Sequence, residues 1–380
     1  MLYYRYRSAN LLSTKELIYD ELYFSYPSEL NDPLDGFISY EFPEDFPKWK
    51  RLLDFAWKDL PIDTTRIAEI FAKSSPLSVK ELATSPKTIY EKILEGIDPT
   101  HKNIAFVLAE SLKNYISAYI PSEGCSVSFS KTYQNALMWS HYTGKHEGYC
   151  LIFRSIDGSI NQCPSRSKES IKTSEHSFLG ISKNFKLHDV LYGTRNSVDG
   201  FTLFPHGVYG RQMSAEEHKS YWENMENMYL TKSSCWDYEQ EARLYIAASS
   251  ACVSQDLLSP IDRIFHYDNS QIAGVIFGMR MSESNKKIIR EILLKKSIER
   301  YMDSRSDRFL FDIVSFESQF DDKQHAILIN PSEIFNCGKS IKKSDPEFAS
   351  KFTSWSHGEA LHIQKSENGK GNSCSRVVLD

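Results

Sequence analysis

Stretches in which the side chains alternate in character predict β-strands at widely separated points of the chain. Leu2 to Arg7 alternates aromatic and basic residues, which indicates a short opening strand. Cys125 to Ser130 has the period of two that puts its apolar side chains on one face and its serines on the other. The same alternation predicts strands from Trp236 to Ala247 and from Val275 to Phe277.

Two parts of the chain instead have the spacing of helices. Between about Asp45 and Ile120 the apolar positions follow a helical period, with polar breaks such as Ser74-Ser75-Pro76. Because apolar positions on one helix face need a partner surface, we expect a helical insertion that packs beside the sheet. A shorter helix is predicted from Ser13 to Asp20, with Ser13 as its N-cap and Glu16 as the reciprocal partner.

The order of these elements indicates the fold class. The predicted strands are separated by irregular intervals, and the helices are grouped rather than alternating with them. This arrangement is typical of an α+β fold and not of a doubly wound parallel sheet. We expect one α+β domain over residues 1–330. The periodicity is then lost, so residues 331–380 are predicted to be an irregular C-terminal extension with a loose tail at Gly369 to Ser373.

Composition and charge exclude several classes of protein. The 380 residues are 41% hydrophobic and 25% charged, which excludes disorder over the whole length. The formal net charge is −5, so any contact with a nucleic-acid backbone or an anionic membrane must be local. No apolar run approaches the ~20 residues that span a bilayer, and the first ten residues lack the apolar core of a secretory signal. We therefore expect a soluble, cytoplasmic protein with no membrane partner.

The cysteines lack the spacing of a disulfide framework or a metal site. Seven cysteines are scattered along the chain without a CxxC pair, which is typical of reduced thiols. The residues that come nearest to a zinc set are Cys125, His141, His146 and Cys150. They do not include a closely spaced pair of cysteines, so no metal is expected.

Basic and hydroxyl side chains on two of the predicted strands suit the binding of NAD. Arg5 and Arg7 lie on the opening strand, and an arginine supplies the fork of donors that a pyrophosphate needs. Ser128 and Ser130 lie two apart on a later strand and can line a pocket wall without crowding a ring. An enzyme that breaks the nicotinamide–ribose bond needs both features, because its substrate must be fixed in a reactive pose. We predict that these four residues bind NAD.

Two glutamates on the third strand are the candidate catalytic residues. Glu239 and Glu241 are two apart, so on a strand they share one face. Breaking the bond creates oxocarbenium-like positive charge on the ribose, and we predict that Glu241 bonds a ribose hydroxyl and stabilises this charge. Glu239 is predicted to orient or deprotonate the acceptor. The alternative is a solvated strand face on which the glutamates pair with Arg243.

The order of these elements along the chain is similar to the Arg, Ser-x-Ser and Glu-x-Glu pattern of the ADP-ribosyltransferase superfamily. The resemblance implies that NAD is the substrate. It also implies a core formed by an ADP-ribosyltransferase-like sheet, mixed or antiparallel, to which the helical insertion is added. In the alternative interpretation, Ser128 and Ser130 are the polar side of a half-buried strand, and the early arginines are ordinary edge charges.

A second resemblance rests on longer motifs that run from the start of the chain to about Phe316. These motifs are Tyr4-Arg5-Tyr6-Arg7, Asn31-Asp32-Pro33-Leu34-Asp35, Ser128-Phe129-Ser130, Leu137-Met138-Trp139-Ser140-His141-Tyr142, His146-Glu147-Gly148-Tyr149-Cys150, Trp236-Asp237-Tyr238-Glu239-Gln240-Glu241-Ala242-Arg243 and Val275-Ile276-Phe277-Gly278. Together they resemble DUF2971, a bacterial and phage family of unknown function. Members are often found near mobile or defence genes, which implies a toxin or an antiphage effector.

Four further residues of these motifs are candidates for binding NAD. Asn31 and Asp32 hold either the adenosine or the acceptor side of the pocket, or they form an Asx-turn that fixes a loop. His141 can bond a ribose or the nicotinamide amide, and Tyr142 can stack on the nicotinamide. The alternative for His141 and Tyr142 is a structural pair near the end of a short helix.

Three classes of function remain open on these grounds. The first is an enzyme that transfers ADP-ribose from NAD to a protein or nucleic acid, or that hydrolyses NAD outright. The second is a nucleic-acid processing or sensing protein that uses Arg5, Arg7, His141 and His146 on phosphates without NAD. The third is a non-catalytic interaction module. The patterns specify neither the acceptor nor an oligomeric state.

Overall fold

The chain folds into one large sheet, several small sheets and two sets of helices. The computed structural model describes residues 1–121, 124–172, 178–194, 196–246, 258–302, 308–323, 326–365 and 372–378. The α-helices are α1 (Leu11–Tyr19), α2 (Phe46–Ala56), α3 (Thr65–Lys73), α4 (Val79–Thr84), α5 (Pro86–Gly96), α6 (Ala105–Tyr119), α7 (Ala136–Tyr142), α8 (Pro205–Tyr209), α9 (Ala215–Tyr229), α10 (Glu283–Met302) and α11 (Phe348–Ser356). Over the described residues, none of these helices combines the length and apolar character needed to cross a membrane.

The strands follow the chain in short pieces. They are β1 (Leu2–Arg7), β2 (Glu21–Tyr23), β3 (Tyr40–Phe42), β4 (Leu77–Ser78), β5 (Cys125–Ser130), β6 (Tyr149–Arg154), β7 (Ser159–Asn161), β8 (Ser170–Lys172), β9 (Phe178–Gly180), β10 (Asn184–Lys186), β11 (His188–Asp189), β12 (Leu191–Tyr192), β13 (Val198–Asp199), β14 (Thr231–Lys232), β15 (Glu241–Ile246), β16 (Ile264–His266), β17 (Ile272–Phe277), β18 (Arg308–Leu310), β19 (Ile313–Asp321), β20 (Ala326–Asn336), β21 (Lys339–Lys342), β22 (Glu359–Lys365) and β23 (Asn372–Val378). Strands β1 and β5 begin and end where the alternation predicts them.

The large sheet has the strand order β11-β15-β5-β1-β6-β17-β19-β20-β21 among the described residues. Strands β17 and β19 pair in parallel, and the other neighbours pair antiparallel. The strands are not separated by alternating helices, as a doubly wound sheet would require. The fold is therefore α+β with a large mixed sheet, which confirms the predicted fold class. The finer likeness to ADP-ribosyltransferases stays a prediction.

The alternation of side chains on β1 and β5 separates the two faces of this sheet. Tyr3 and Phe129 belong to the hydrophobic core on one face, whereas Tyr4 belongs to the core on the other. Tyr4 is the register partner of Ser130, so these two side chains share a face. Arg5 is one residue further along β1, and its guanidinium lies 5.8 Å from the centre of the Phe129 ring. The arginines of β1 and the serines of β5 therefore leave opposite faces of the sheet.

A second layer is made of helices. Helices α2 to α6 occupy most of residues 46–119, where helical spacing predicts them, and α8 and α9 join them. Their apolar faces form a separate core in which the side chains of Trp49, Phe71 and Leu112 are fully buried. That this segment is an insertion into a sheet domain stays a prediction.

Helix α9 connects the helical layer to the β11–β15 end of the sheet. The ring of Tyr229, the last residue of α9, lies 4.1 Å from the ring of Tyr245 on β15, measured between centroids. On the same helix Glu226 accepts from His188 Nδ1 of β11 at 2.9 Å. Because β14 follows α9 directly, this packing fixes where Lys232 enters the sheet region.

The C-terminal part of the chain is not irregular, so the predicted extension over residues 331–380 is wrong. Strands β20 and β21 complete the large sheet, and β22 pairs with β18 and β23. Helix α11 packs on the sheet through Trp355, whose Nε1 donates to the Ala273 carbonyl at 2.8 Å. The alternation is hidden because β20 contains Pro331 and the β19–β20 register shifts between Ser315 and Phe316. Of the predicted loose tail, residues 369–371 lie outside the described residues, whereas Asn372 and Ser373 belong to β23.

Helix α1 begins earlier than the predicted cap. Asn10 is the N-cap, and its side chain accepts from the Ser13 backbone N–H at 2.9 Å. Ser13 is buried inside the first turn. Glu16 does not serve as a capping partner but forms an ion pair with Arg7. The prediction of Ser13 as the cap is therefore wrong, because Asn10 lies at the actual helix boundary and provides a better acceptor geometry.

Truncating a buried side chain of α6 tests whether the helical layer depends on its own core. We expect Leu112→Ala to lower the free energy of unfolding by about 2–5 kcal/mol, since Leu112 is fully buried. Val107→Ala on the same helix is the control, because Val107 is 62% exposed and should lose little. Urea unfolding followed by circular dichroism measures both. Equal effects of the two substitutions would contradict the described packing of α6.

Candidate functional site

A cavity of about 340 Å³ lies where β1 and β5 separate. The two strands pair at Tyr4 and Ser130. Towards its other end β5 is bonded to a different segment, because Ser126 exchanges backbone hydrogen bonds of 2.8 and 2.9 Å with Ser25. Side chains from both faces of the sheet therefore reach one cavity. The lining residues that carry polar chemistry are Arg5, Arg7, Glu29, Asn31, Asp35, Ser126, Ser128, Ser130, Tyr142, Lys232, Glu239 and Glu241.

One wall of the cavity is formed by Asp35, Lys232, Glu239 and Glu241, which together with Arg243 make up a buried charge cluster. Lys232 Nζ lies 2.6 Å from Glu239 Oε2, 3.2 Å from Glu241 Oε2 and 3.2 Å from Asp35 Oδ2. Arg243 donates from Nε to Glu241 Oε1 at 2.7 Å and from Nη2 to Asp35 Oδ2 at 2.6 Å. All five side chains are buried. The glutamates therefore do not lie on a solvated face, although the pairing of Glu241 with Arg243 that the alternative predicted is present.

The two glutamates reach this cluster from different local structures. Ser234–Glu239 is a 3-10 helix, Gln240 has a left-handed φ of 44°, and β15 begins at Glu241. The predicted strand from Trp236 is therefore wrong at its start, and its last residue, Ala247, lies outside the described residues. The Ser130 hydroxyl donates to the Glu239 carbonyl at 2.6 Å and ties this turn to β5. Both carboxylates consequently face Lys232 although they do not share a strand.

Burial and the neighbouring cations shift the pKa values of the two glutamates in opposite directions. For Glu241, burial alone would raise the pKa, but Arg243 and then Lys232 outweigh it and hold the pKa at about 2. For Glu239, burial raises the pKa above its ordinary value, and Lys232 and Tyr142 oppose this only in part. Paired carboxyl groups with separated pKa values are typical of acid–base sites. Glu241 is thus held in its ionised form more firmly than Glu239.

A hydrogen-bond chain leads from the cavity to Glu239. The Tyr142 hydroxyl donates to Glu239 Oε1 at 2.6 Å and accepts from Asn31 Nδ2 at 2.6 Å. Burial, followed by the hydrogen bond to Glu239, raises the pKa of Tyr142, so its hydroxyl keeps its proton. Tyr142 and Asn31 both line the cavity. The predicted stacking of Tyr142 on a nicotinamide stays untested.

The opposite side of the cavity is cationic. Arg5 and Arg7 both line it, and both pair with the single carboxylate of Glu16. Arg5 is only 8% exposed, and its Nη1 has no hydrogen-bond partner among the described residues. Burial, followed by repulsion from Arg7, lowers the pKa of Arg5 to about 10. Two guanidinium groups with one carboxylate leave a net positive charge that an anionic group would satisfy.

Of the predicted site residues, His141 and Asp32 are not brought to the cavity. His141 is exposed on α7 and is not one of the lining residues. Asp32 is buried, and its Oδ1 accepts from the Leu34 backbone N–H at 3.0 Å, which is the geometry of an Asx-turn. This turn presents Asp35 to Arg243. The other predicted residues line one cavity, although their chemical roles stay predictions.

Sequence reasoning missed Lys232, the residue at the centre of the charge cluster. It lies in β14, a two-residue strand directly after α9, and no periodicity or motif marks it. Strand β14 pairs in parallel with β12, whose Tyr192 hydroxyl accepts from the Glu241 backbone N–H at 2.7 Å. Tyr192 was missed for the same reason. Within the described residues, no group of three or more His, Cys, Asp or Glu side chains is arranged to hold a metal ion.

Comparison with known proteins identifies one family for part of the chain. Residues 138–244 match DUF2971, described as a protein of unknown function. This segment runs from α7 to β15, and it includes Tyr142, Lys232, Glu239, Glu241 and Arg243. The match supports the predicted DUF2971 resemblance. No curated protein and no solved structure matches the chain.

Removing the central cation tests whether the charge cluster holds this region together. We expect Lys232→Met to lower the free energy of unfolding by about 3–5 kcal/mol near pH 7, since three buried carboxylates lose a shared partner. The loss should shrink as the pH falls. Lys232 lowers the pKa of the buried Glu239 carboxyl, so in the variant this pKa rises further and Glu239 takes up a proton as the pH falls, which removes its unpaired charge.

The matched control for this prediction is Lys219→Met on the exposed face of α9. Lys219 forms a surface pair with Glu223 at 3.7 Å and should leave stability nearly unchanged at every pH. Urea unfolding of both variants and the wild type between pH 5 and 8 supplies the measurement. If the loss of unfolding free energy in Lys232→Met stays constant with pH, buried carboxylates without a cation are not its cause.

Proposed function

We propose that this protein is an enzyme that uses NAD and breaks its nicotinamide–ribose bond, as an ADP-ribosyltransferase or an NAD glycohydrolase. The observation that carries the proposal is the distribution of charge around the cavity. An acidic charge cluster faces one side, and two arginines with a single carboxylate face the other. NAD combines a pyrophosphate, which needs cations, with a ribose that becomes positively charged as nicotinamide leaves.

The acidic wall suits the developing positive charge. With all groups ionised, the charge cluster has three carboxylates and two cations, so one net negative charge remains next to the cavity. A preorganised charge in a buried site stabilises a transition state more strongly than the same charge in water. In this proposal Glu241 supplies fixed negative charge through the cluster, and Ser128, the exposed serine of β5, lies against the sugar.

The basic wall suits the pyrophosphate. Arg5 and Arg7, which both line the cavity, would hold it by charge-assisted hydrogen bonds. A volume of about 340 Å³ is near the lower end of the usual range for ligand pockets. We therefore expect the nicotinamide–ribose end of NAD inside the cavity and the adenosine end outside it, where His141 and Asn31 remain candidates for contact.

The same placement argues against the other two classes of function. Arg5 lines a cavity of about 340 Å³, which has room for part of a small ligand but not for an extended nucleic-acid backbone. An interaction module has no need for a buried cluster of five charges, since such clusters are costly to desolvate. A toxin or antiphage role remains a proposal that rests on the DUF2971 resemblance, and consumption of NAD would suit it.

The first test is the binding of NAD. We expect NAD to raise the melting temperature of the wild type, because a ligand that binds only the folded state stabilises it. Arg7→Gln should weaken binding by about tenfold or more, through the loss of a charged donor. Arg211→Gln is the control, since Arg211 pairs with Glu217 on the surface at 2.7 Å. A melting temperature unchanged by NAD in the wild type would exclude this proposal.

The second test is turnover. We expect Glu241→Gln to lower the rate of nicotinamide release by roughly 10²-fold while NAD affinity changes little, because the negative charge acts in the transition state. Glu239→Gln should also lower the rate, and it keeps the test valid if Glu241→Gln folds poorly by circular dichroism. The surface variant Glu217→Gln serves as the control. Wild-type rates in both site variants would remove the carboxylates from the mechanism.

A further inference from the structure

We infer that the acceptor of this reaction is water rather than a side chain or base of a macromolecule, and that Tyr142 passes the proton of that water to Glu239. The inference rests on the proposed function and chooses between its two forms. It depends on two observations. Glu239, the carboxylate predicted to act on the acceptor, is enclosed by its contacts, and Tyr142 lies between Glu239 and the cavity.

Glu239 is enclosed by the residues that contact it. The residue is 4% exposed, with its Oε2 at 2.6 Å from Lys232 Nζ and its Oε1 at 2.6 Å from the Tyr142 hydroxyl. Its carbonyl is bonded to Ser130. A side chain of a protein acceptor would have to enter the same 340 Å³ cavity that the nicotinamide–ribose end of NAD occupies. Water is small enough to enter once nicotinamide has left.

Tyr142 is placed to connect such a water to Glu239. Its hydroxyl lines the cavity, donates its proton to Glu239 and accepts from Asn31, which leaves one lone pair for a further donor. Asn31 itself is positioned by the loop that carries Asp32 and Asp35. The chain of Asn31, Tyr142 and Glu239 therefore fixes the direction in which a proton can move.

The reaction then balances without a further co-reactant. The bond between ribose C1′ and the nicotinamide nitrogen breaks, and its electron pair leaves with neutral nicotinamide. The water oxygen forms a bond to C1′ and gives a proton to the Tyr142 hydroxyl as that hydroxyl gives its own to the ionised Glu239. When the product leaves, Glu239 returns the proton through the Tyr142 hydroxyl to water that refills the cavity. The products are ADP-ribose, nicotinamide and one proton.

The decisive measurement follows the ADP-ribose part of NAD labelled in its adenosine. The purified chain is incubated with this NAD in the presence of protein and nucleic acid from a cell lysate. We expect one free ADP-ribose for each nicotinamide released and no label on macromolecules. Label on protein or nucleic acid in proportion to nicotinamide would overturn the inference and leave the proposed function intact. Absence of nicotinamide release would overturn the proposed function itself.

A variant tests the route of the proton. We expect Tyr142→Phe to lower the hydrolysis rate by roughly 10²-fold, the scale of one lost acid–base group, while the NAD-induced shift in melting temperature remains. Tyr19→Phe is the control, because Tyr19 is 52% exposed on α1 and remote from the cavity lining. A wild-type hydrolysis rate in Tyr142→Phe would overturn the proton relay. An equal fall of the rate in Tyr19→Phe would also overturn it, because the effect would not be specific to Tyr142.

Discussion

The contact of Lys232 with three buried carboxylates is the constraint on which the rest of the site depends. An ammonium group removed from water needs several acceptors, and Lys232 obtains them from Asp35, Glu239 and Glu241. These acceptors come from a loop near the N-terminus, the end of a 3-10 helix and the start of β15. The position of each of these three segments therefore depends on the other two through Lys232. The cluster thus acts as a junction between the sheet and the helical layer, since α9 leads directly into Lys232.

The sheet accommodates this junction by opening. Had β1 and β5 paired along their whole length, their backbones would have closed the space in which the polar side chains meet. Instead Ser126 pairs with Ser25, and the separated strands admit side chains from both faces. The arginines of β1 and the glutamates of the charge cluster can therefore contact one ligand from two sides of the cavity. Among the described residues the arginines pair with Glu16 and Glu239 pairs with Lys232, so separate groups carry the positive and the negative charge at the cavity.

Sequence periodicity predicted those parts whose character is local. The bounds of β1 and β5 agree with the alternation of their side chains, because a period of two is set within each strand. The strand predicted from Trp236 failed, since the left-handed turn at Gln240 depends on contacts such as the one from Ser130. The C-terminal strands were missed where a bulge and a proline disturb the alternation.

The candidate site also contains residues that the sequence predicted and residues that it could not predict. Residue type and order along the chain were enough to single out Arg5, Ser130 and Glu241, because their complementary chemistry occurs in a recognisable order on separate predicted strands. Lys232 and Tyr192 were not predictable, as their importance comes only from neighbours distant in sequence. A single sequence carries no local signal for a contact of that kind.

The pairing of Arg243 with Asp35 spans 208 residues of the chain, and this separation has a consequence for the history of the molecule during synthesis. A growing chain exposes Asp35 long before its partner has been translated. Until residue 232 leaves the ribosome the acidic wall has neither its lysine nor its arginine, and until β15 has followed it lacks the arginine and β5 lacks its neighbour. Contacts of such long range form slowly. The nascent protein is therefore without a complete cavity for most of its translation, and any chemistry that the cavity performs starts only after nearly two thirds of the chain has been made.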